Sequence, residues 1–283
     1  MTYTLTMLAD DLAFGEAPRW HDGALYLSDM HAHRVMRYRE DREWEVVVEH
    51  DGALSGLGWL PDGDMLVVSM HDRKVLRLEH GTLRLHADLS QIATWHANDM
   101  IVAPDGTAYV GNFGFDIDAY PVQPRPASIA RISPAGEVSV AAAGLWFPNG
   151  MVISPDGKTM IVAESATRVL TQFTIGTDGS LSESRLWAAL PADALPDGIC
   201  LDDEGCVWVA SPSSREVLRL REGGEVVDRI ATEQEAIACV FGGDDRRTLF
   251  ILTAESRDPA AAQASRTARV YAVQLNISGA GLP

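Results

Sequence analysis

A short unit of strand, tight turn and strand recurs along this chain, and it limits the possible folds more than any other feature. In each copy an apolar run leads into a turn that contains glycine, and a second apolar run follows. Successive turn glycines are 40 to 51 residues apart, a period typical of repeat architectures. These glycines are Gly23, Gly63, Gly106, Gly157 and Gly205, and the sixth turn is Gly243-Asp244-Asp245.

Each copy contains enough alternating apolar residues for four short strands. In the second copy these are Gly56–Leu60, Met65–Ser69, Lys74–Leu78 and Leu83–Ala87. Period-two alternation between glycine, proline and aspartate turns predicts antiparallel strands, and no segment shows a sustained helical period. Six such units predict an all-β fold, a six-bladed β-propeller with four-stranded antiparallel blades that spans residues 1–283 as one domain.

The last copy offers only three strands, Ala236–Phe241, Thr248–Thr253 and Arg269–Leu275. We expect the N-terminal segment Tyr3–Leu8 to supply the fourth. This pairing would close the ring between the two ends of the chain and remove an exposed edge strand.

Composition excludes several kinds of partner. The formal net charge of −17 argues against nucleic acid and against anionic membrane surfaces. No apolar run approaches membrane-spanning length, and the start, MTYTLTMLADD, does not resemble a signal peptide. The three cysteines suit buried thiols in a reducing compartment. We therefore expect a cytoplasmic protein.

Polar residues recur where the innermost strand of each blade should begin. Innermost strands run beside the central channel, so residues at their starts should converge at one mouth. Counting back from the turns gives Glu16, Ser55, Asn98, Asn149 and Asp197, and in the sixth copy a position near Glu235–Ala236.

Three of these residues, Glu16, Asn149 and Asp197, would supply oxygen ligands and two negative charges to one divalent cation. Ca²⁺ is the favoured ion, with Zn²⁺, Mg²⁺ or Mn²⁺ as alternatives. A structural alternative is that Asn149 and Asp197 only cap turns beside Pro148 and Pro196.

Five segments spread over the chain carry a resemblance to a known family. The chain is similar, over nearly all its length, to the family of senescence marker protein 30, gluconolactonase and luciferin-regenerating enzyme. The resemblance implies a six-bladed propeller with one divalent metal held by Glu16, Asn149 and Asp197, and with Asn98 beside the metal as a ligand or a substrate contact. The segments are Gly15–Trp20, Asn98-Asp99, Pro148–Met151, Pro196–Gly198 and Cys239–Gly243.

One position departs from the family pattern. Animal members that hydrolyse sugar lactones carry arginine two residues before the asparagine equivalent to Asn98, where this chain has His96. Histidine offers fewer donors to sugar hydroxyls than the guanidinium fork. We count His96 and Asn98 as substrate-binding candidates, together with His71 and Asn112, which follow or end second strands and should face the same mouth. Aromatic residues near these segments would favour a less polar lactone or ester, although core packing explains them equally well.

The expected reaction is hydrolysis of a small lactone. The cation would polarise the carbonyl, a water on or near it would attack, and Asp197 would act as the catalytic base. No G-x-S-x-G nucleophile motif is present. Two alternatives stay open: a metal-dependent hydrolase or lyase for aryl esters or phosphotriesters, and a non-catalytic propeller that a metal stabilises. The expected partner is a small-molecule lactone or ester, and the sequence does not indicate an oligomeric state.

Overall fold

The computed structural model describes residues 3–40 and 43–283. These residues form six antiparallel sheets arranged as the blades of a β-propeller, as the repeat predicts. In each blade the strands follow one another outward from the channel, and the innermost strands of neighbouring blades pack against each other.

The first three blades are each built from four consecutive strands. The strand that precedes them, β1 (Thr6–Leu12), belongs to the last blade. Blade 1 contains β2 (Gly15–His21), β3 (Ala24–Asp29), β4 (Arg34–Tyr38) and β5 (Glu45–Glu49). Blade 2 contains β6 (Leu54–Trp59), β7 (Met65–Ser69), β8 (Lys74–Glu79) and β9 (Thr82–Asp88). Blade 3 contains β10 (Ala97–Val102), β11 (Ala108–Asn112), β12 (Ala127–Ile132) and β13 (Val138–Leu145).

The next two blades repeat this pattern, and the last one departs from it. Blade 4 contains β14 (Pro148–Ile153), β15 (Thr159–Glu164), β16 (Val169–Ile175) and β17 (Leu181–Ala189). Blade 5 contains β18 (Ile199–Asp202), β19 (Val207–Ser211), β20 (Glu216–Leu220) and β21 (Val226–Ala231). Blade 6 contains β22 (Glu235–Gly242), β23 (Thr248–Ala254), β24 (Ala268–Gln274) and, as its outer strand, β1.

The ring closes through the N-terminal strand, as predicted, but with different bounds. Strand β1 pairs with β24 from Thr6 to Leu12, four residues beyond the predicted end at Leu8. Tyr3 and Leu5 precede the strand and pack instead against the apolar cluster shared by blades 5 and 6.

Three short elements were not predicted. A 3₁₀ helix (Met30–Ala32) follows β3, and one α-helix, α1 (Pro259–Ser265), lies between β23 and β24. A two-residue strand, β25 (Gly279–Ala280), pairs with β18 at the inner edge of blade 5. Within the described ranges, no helix has the length and apolar character needed to cross a membrane.

A bulge interrupts the innermost strand of five blades near its first residues. The register shifts between Glu16 and Arg19 in blade 1, and at corresponding places in blades 2, 3, 4 and 6. A bulge turns the local backbone and changes the direction of the side chains it carries. The residues at the channel mouth therefore leave the regular in-and-out alternation of the sheets.

Glycine next to these bulges lets the inner strands approach closely. A Cβ on Gly150 would lie 2.6 Å from the amide nitrogen of Ile199, and one on Gly198 would lie 2.5 Å from Cβ of Ala238. Only glycine fits where one backbone touches the next blade. The polar residues Asn149 and Asp197, which precede these glycines, are consequently held at a fixed distance from each other.

Candidate functional site

One cavity of about 450 Å³ lies where the innermost strands begin. Glu16, Asn98, Asn149 and Asp197, from blades 1, 3, 4 and 5, all line it. The structure thus brings together four of the positions that were counted back from the turns. Ser55, the blade 2 equivalent, is fully buried and does not line this cavity.

The blade 6 position is Glu235, and its charge is already paired. Its Oε2 accepts a hydrogen bond from Nε of Arg257 over 2.7 Å. Arg257 itself lines the cavity and precedes α1. Blade 6 therefore contributes a guanidinium to the cavity wall.

Glu16 is aimed into the channel by the bulge of β2. Its neighbour Ala17 has a left-handed backbone, with φ of 47°, and the Ala17 amide donates to Oε2 of Glu16 over 2.8 Å. A left-handed residue other than glycine costs about 1–2 kcal/mol. At Ala17 this conformation turns the Glu16 carboxylate towards the cavity, and Glu16 is only 6% exposed.

Asp197 lies just before β18 and is fixed through its main chain. Its amide donates to the carbonyl of Ala210, and its carbonyl accepts from Gly150 of blade 4. Its side chain is bound by Asn149, whose Nδ2 donates to Oδ1 of Asp197 over 2.6 Å. Nδ2 also donates to Oγ of Ser165 over 3.2 Å. The Asn149 amide thus uses its nitrogen within the protein and keeps Oδ1 for another partner.

The two carboxylates have strongly perturbed ionisation. Burial, then the negative charges of Asp197 and Asp99, raises the pKa of Glu16 well above its usual range. Burial also raises the pKa of Asp197 to about 7, although Arg257 and the hydrogen bond from Asn149 oppose the rise. Holding both groups ionised is therefore costly without added positive charge.

A divalent cation fits this chemistry. The three donors Glu16, Asn149 and Asp197 offer oxygen atoms only, and positive charge among them would offset the burial and the repulsion that raise both pKa values. Nearby, Nδ2 of Asn98 is buried without a hydrogen-bond partner, which indicates a pocket that lacks a polar ligand. In the part of the chain that the structure describes, no three His, Cys, Asp or Glu side chains form a metal-binding group. A site here would therefore depend on a carboxamide.

An ion pair lies beneath these groups. Nη2 of Arg19 is 2.6 Å from Oδ1 of Asp99, and both side chains are buried. Arg19 also donates to the carbonyls of Pro18 and Leu57, and so ties blade 1 to blades 2 and 3. It is one of the two lesser influences that lower the pKa of Glu16. Sequence analysis placed Arg19 in the family motif and gave it no role.

Two of the four predicted substrate contacts are histidines that line the cavity beside each other. The rings of His71 and His96 have centroids 4.4 Å apart. Burial lowers the pKa of His96, and His71 lowers it further, which favours a neutral imidazole at His96. Both residues therefore form part of the cavity wall.

Asn112 does not line the cavity. It ends β11, and its side chain holds the backbone around it: Nδ2 donates to the carbonyl of Ser128, and Oδ1 accepts from the amide of Gly114. Glu164 at the end of β15 acts similarly, since its Oε2 accepts from the amide of Trp146. Asn112 and Glu164, which end second strands, thus hold the loops at the mouth through hydrogen bonds to the backbone. The alternation pattern of the sequence does not reveal this role.

Some of the apolar lining residues were predicted as possible aromatic walls, Phe113 and Phe147, whereas Phe14, Met30 and Met70 were not predicted. Phe14, Met30 and Met70 form one side of the cavity, and Phe113 and Phe147 form another. The sequence presents Phe14, Met30 and Met70 as ordinary core residues, and each is indeed buried. Only the arrangement of blades 1 and 2 shows that one face of each borders the cavity.

The fold and the cavity together define a class of protein: a six-bladed propeller with a buried pocket of carboxylates and carboxamides at one end of its channel. The family model described as the SMP-30/gluconolactonase/LRE-like region matches residues 14–255. The chain belongs to this family, as its motifs predicted.

Similar proteins include three lactonases. A pentonolactonase, XacC, from Haloferax volcanii is 26% identical over 257 residues, which cover 89% of this chain and 85% of the relative. A 6-deoxy-6-sulfogluconolactonase from Pseudomonas putida is 27% identical over 281 residues, or 95% and 94% of the two chains. The structure of a gluconolactonase from Xanthomonas campestris superposes with a TM-score of 0.76 and 26% identity, covering 96% of this chain and 89% of that one.

Proposed function

We propose that the protein is a divalent-metal-dependent lactonase. Water adds across the acyl C–O bond of a small lactone, the ring opens, and a hydroxy acid is released. The observation that carries the proposal is a pair of carboxylates at the end of one cavity, Glu16 buried and Asp197 partly buried, whose pKa values are both raised. The lactonase names of the relatives agree with it.

Glu16, Asn149 and Asp197 would hold the cation, with Ca²⁺ as the first candidate and Zn²⁺, Mg²⁺ or Mn²⁺ as alternatives. The bound ion supplies Lewis-acid polarisation of the lactone carbonyl and lowers the pKa of nearby water. Asn149 contributes Oδ1, because its Nδ2 is engaged by Asp197 and Ser165. The same bond keeps the Asp197 carboxylate in one orientation.

Asp197 is the proposed base. Its carboxylate lines the cavity and accepts the proton of the attacking water, which it can return to the leaving alkoxide when the ring opens. Asn98, which lines the same cavity, is proposed to hold the substrate by its carboxamide, and His96 and His71 border the substrate on the blade 2 and 3 side.

The test is turnover of a lactone panel by purified protein, followed by acid release at constant pH. We expect hydrolysis that a chelator abolishes and one of the four cations restores. Asp197→Asn should lower kcat by about 10²–10⁴-fold, the usual contribution of a positioned base. Asp193→Asn is the matched control, since Asp193 is an exposed carboxylate in the same blade that does not line the cavity.

Aryl esters and a phosphotriester belong in the same panel. If the protein hydrolyses these compounds in a chelator-sensitive way and hydrolyses no lactone, the function of the site is that of another hydrolase and not of a lactonase. Failure of every substrate at every cation would contradict an enzymatic function. The proposed location of the protein remains the cytoplasm, which the sequence predicts.

A further inference from the structure

The cavity is polar at one end and apolar along its sides. Glu16, Asn98, Asn149 and Asp197 occupy the polar end. Phe14, Met30 and Met70 belong to a single buried apolar cluster of blades 1, 2 and 6, and Phe113 packs against that cluster from blade 3. The apolar surface is therefore continuous across the mouth.

Aromatic rings extend this surface to blade 4. The centroids of His96 and Phe113 are 6.0 Å apart, and those of Phe113 and Phe147 are 4.4 Å apart. Phe115 lies in the blade 3 insertion, which is the long loop between β11 and β12, and it meets Phe147 edge-on at 6.3 Å. These spacings lie in the range of favourable aromatic contacts. The rings thus form a wall beside the polar end.

The backbone of Phe147 supports a role beyond filling space. Its φ is 57°, a left-handed conformation that bulky residues rarely adopt. It comes directly before Pro148 and Asn149, so the strained residue stands next to a proposed cation ligand. Its ring lines the cavity and is only partly buried.

Three of the six polar side chains elsewhere in the lining are engaged by the protein. Arg257 pairs with Glu235 through Nε. Asp258 caps α1, since its Oδ1 accepts from the amide of Ala261 over 2.8 Å. The His31 ring bonds the backbone of Arg257. A polyhydroxylated ligand needs many free donors and acceptors, because each buried hydroxyl left unpaired weakens binding.

We propose, on the basis of the lactonase function argued above, that the preferred substrate is a lactone with an alkyl or aromatic substituent. The lactone group faces Glu16 and Asp197, and the substituent lies against Phe113 and Phe147. His96 contributes a ring to this wall beside Phe113.

The first test measures the hydrolysis of three six-membered lactones by the cation-loaded wild-type protein. The probes are glucono-δ-lactone, the alkyl-substituted δ-decanolactone and the aryl-fused dihydrocoumarin. We expect kcat/KM for the two apolar probes to exceed that for glucono-δ-lactone by about 10-fold or more. Equal or better turnover of glucono-δ-lactone would overturn the substrate class and leave the lactonase function standing.

The second test changes the wall. Phe113→Ala and Phe147→Ala should each raise KM for the apolar probes by about 10-fold or more, with little change for glucono-δ-lactone. Phe147→Leu should restore much of the loss. Tyr120→Ala is the control, because Tyr120 is a fully exposed aromatic in the same insertion as Phe115 and does not line this cavity. Equal losses for all three probes would show a structural role only and would contradict the proposal.

Binding of unreactive lactams separates substrate class from catalysis. In calorimetry with wild-type protein, an alkyl-substituted δ-lactam should bind about 10-fold more tightly than gluconolactam. This difference in affinity is expected even if the protein hydrolyses no lactone. The absence of hydrolysis would contradict the proposed function but not the proposed ligand class. A preference for the polyhydroxylated lactam would contradict the apolar substrate class directly.

Discussion

Asn149 of blade 4 donates a hydrogen bond from Nδ2 to Oδ1 of Asp197 in blade 5, over 2.6 Å. The bond links two of the proposed cation ligands across a blade boundary. It also stabilises the ionised carboxylate, because it is one of the influences that lower the pKa of Asp197 against the larger effect of burial.

Asn149→Ala should therefore raise the pKa of Asp197 above its value of about 7 in the wild-type protein. Less of the carboxylate is then ionised at neutral pH, so we expect weaker divalent-cation binding whose pH dependence moves to higher pH. Calorimetric titration with Ca²⁺ between pH 6 and 9 measures this. Ser165→Ala, which removes the other Nδ2 partner and keeps the Asp197 bond, is the control and should change affinity less. Unchanged affinity at every pH in Asn149→Ala would argue against Asn149 as a ligand.

The stability of chelator-treated protein should fall as pH rises from about 4 to 7. The raised pKa of Asp197, about 7, means that the folded state holds a proton that the unfolded chain releases near pH 4. Stability is thus lost over the interval between these two values. Melting temperature against pH measures the effect, and Asp197→Asn should show a flatter curve. Saturating cation should raise the melting temperature more at pH 8 than at pH 6; an equal rise would contradict this linkage.

Breaking the Arg19–Asp99 pair should destabilise the fold. Arg19→Met leaves Asp99 buried without its partner, and such losses cost about 3–5 kcal/mol. Urea unfolding measures the change. The double variant Arg19→Met with Asp99→Asn should recover part of the loss, because the uncompensated charge is gone. If the loss of unfolding free energy in the double variant equals the sum of the losses in the two single variants, the bonds from Arg19 to backbone carbonyls contribute more than the ion pair.

The two asparagines of β10 and β11 should behave differently. Asn112→Ala removes the partners of the Ser128 carbonyl and the Gly114 amide, so we expect a loss of about 1–3 kcal/mol in stability with little change in KM. Asn98→Ala should lower kcat/KM and leave stability nearly intact, since its Nδ2 has no partner to lose. Unfolding and steady-state kinetics on both variants decide whether Asn112 contacts substrate, as the sequence predicts.

The blade repeat was predictable because it depends on local backbone chemistry. Each turn required a residue that tolerates a positive φ, and glycine marks that requirement in the sequence. In the structure the glycines of all six turns have a positive φ, with values from 67° to 94°. They are Gly23, Gly63, Gly106, Gly157, Gly205 and Gly243.

The convergence of Glu16, Asn98, Asn149 and Asp197 followed from the same repeat, because equivalent positions of a ring share one mouth. The exact directions of Glu16, Asn98 and Asn149 did not, since they come from bulges that an alternating pattern cannot show. Helix α1 is only seven residues long, too short for a clear period. Its one signal was Asp258-Pro259, a capping residue followed by proline at the first helical position.

The bulges have a consequence for how this scaffold can change. Because irregular backbone at the rim, rather than the regular part of each sheet, directs the groups at the mouth, replacing one of them leaves the interlocking of the blades largely undisturbed. New chemistry can then be acquired blade by blade, with the ring as a constant frame. The gluconolactonase from Xanthomonas campestris, only 26% identical to this chain, superposes on it with a TM-score of 0.76, as a constant frame with a variable mouth would allow.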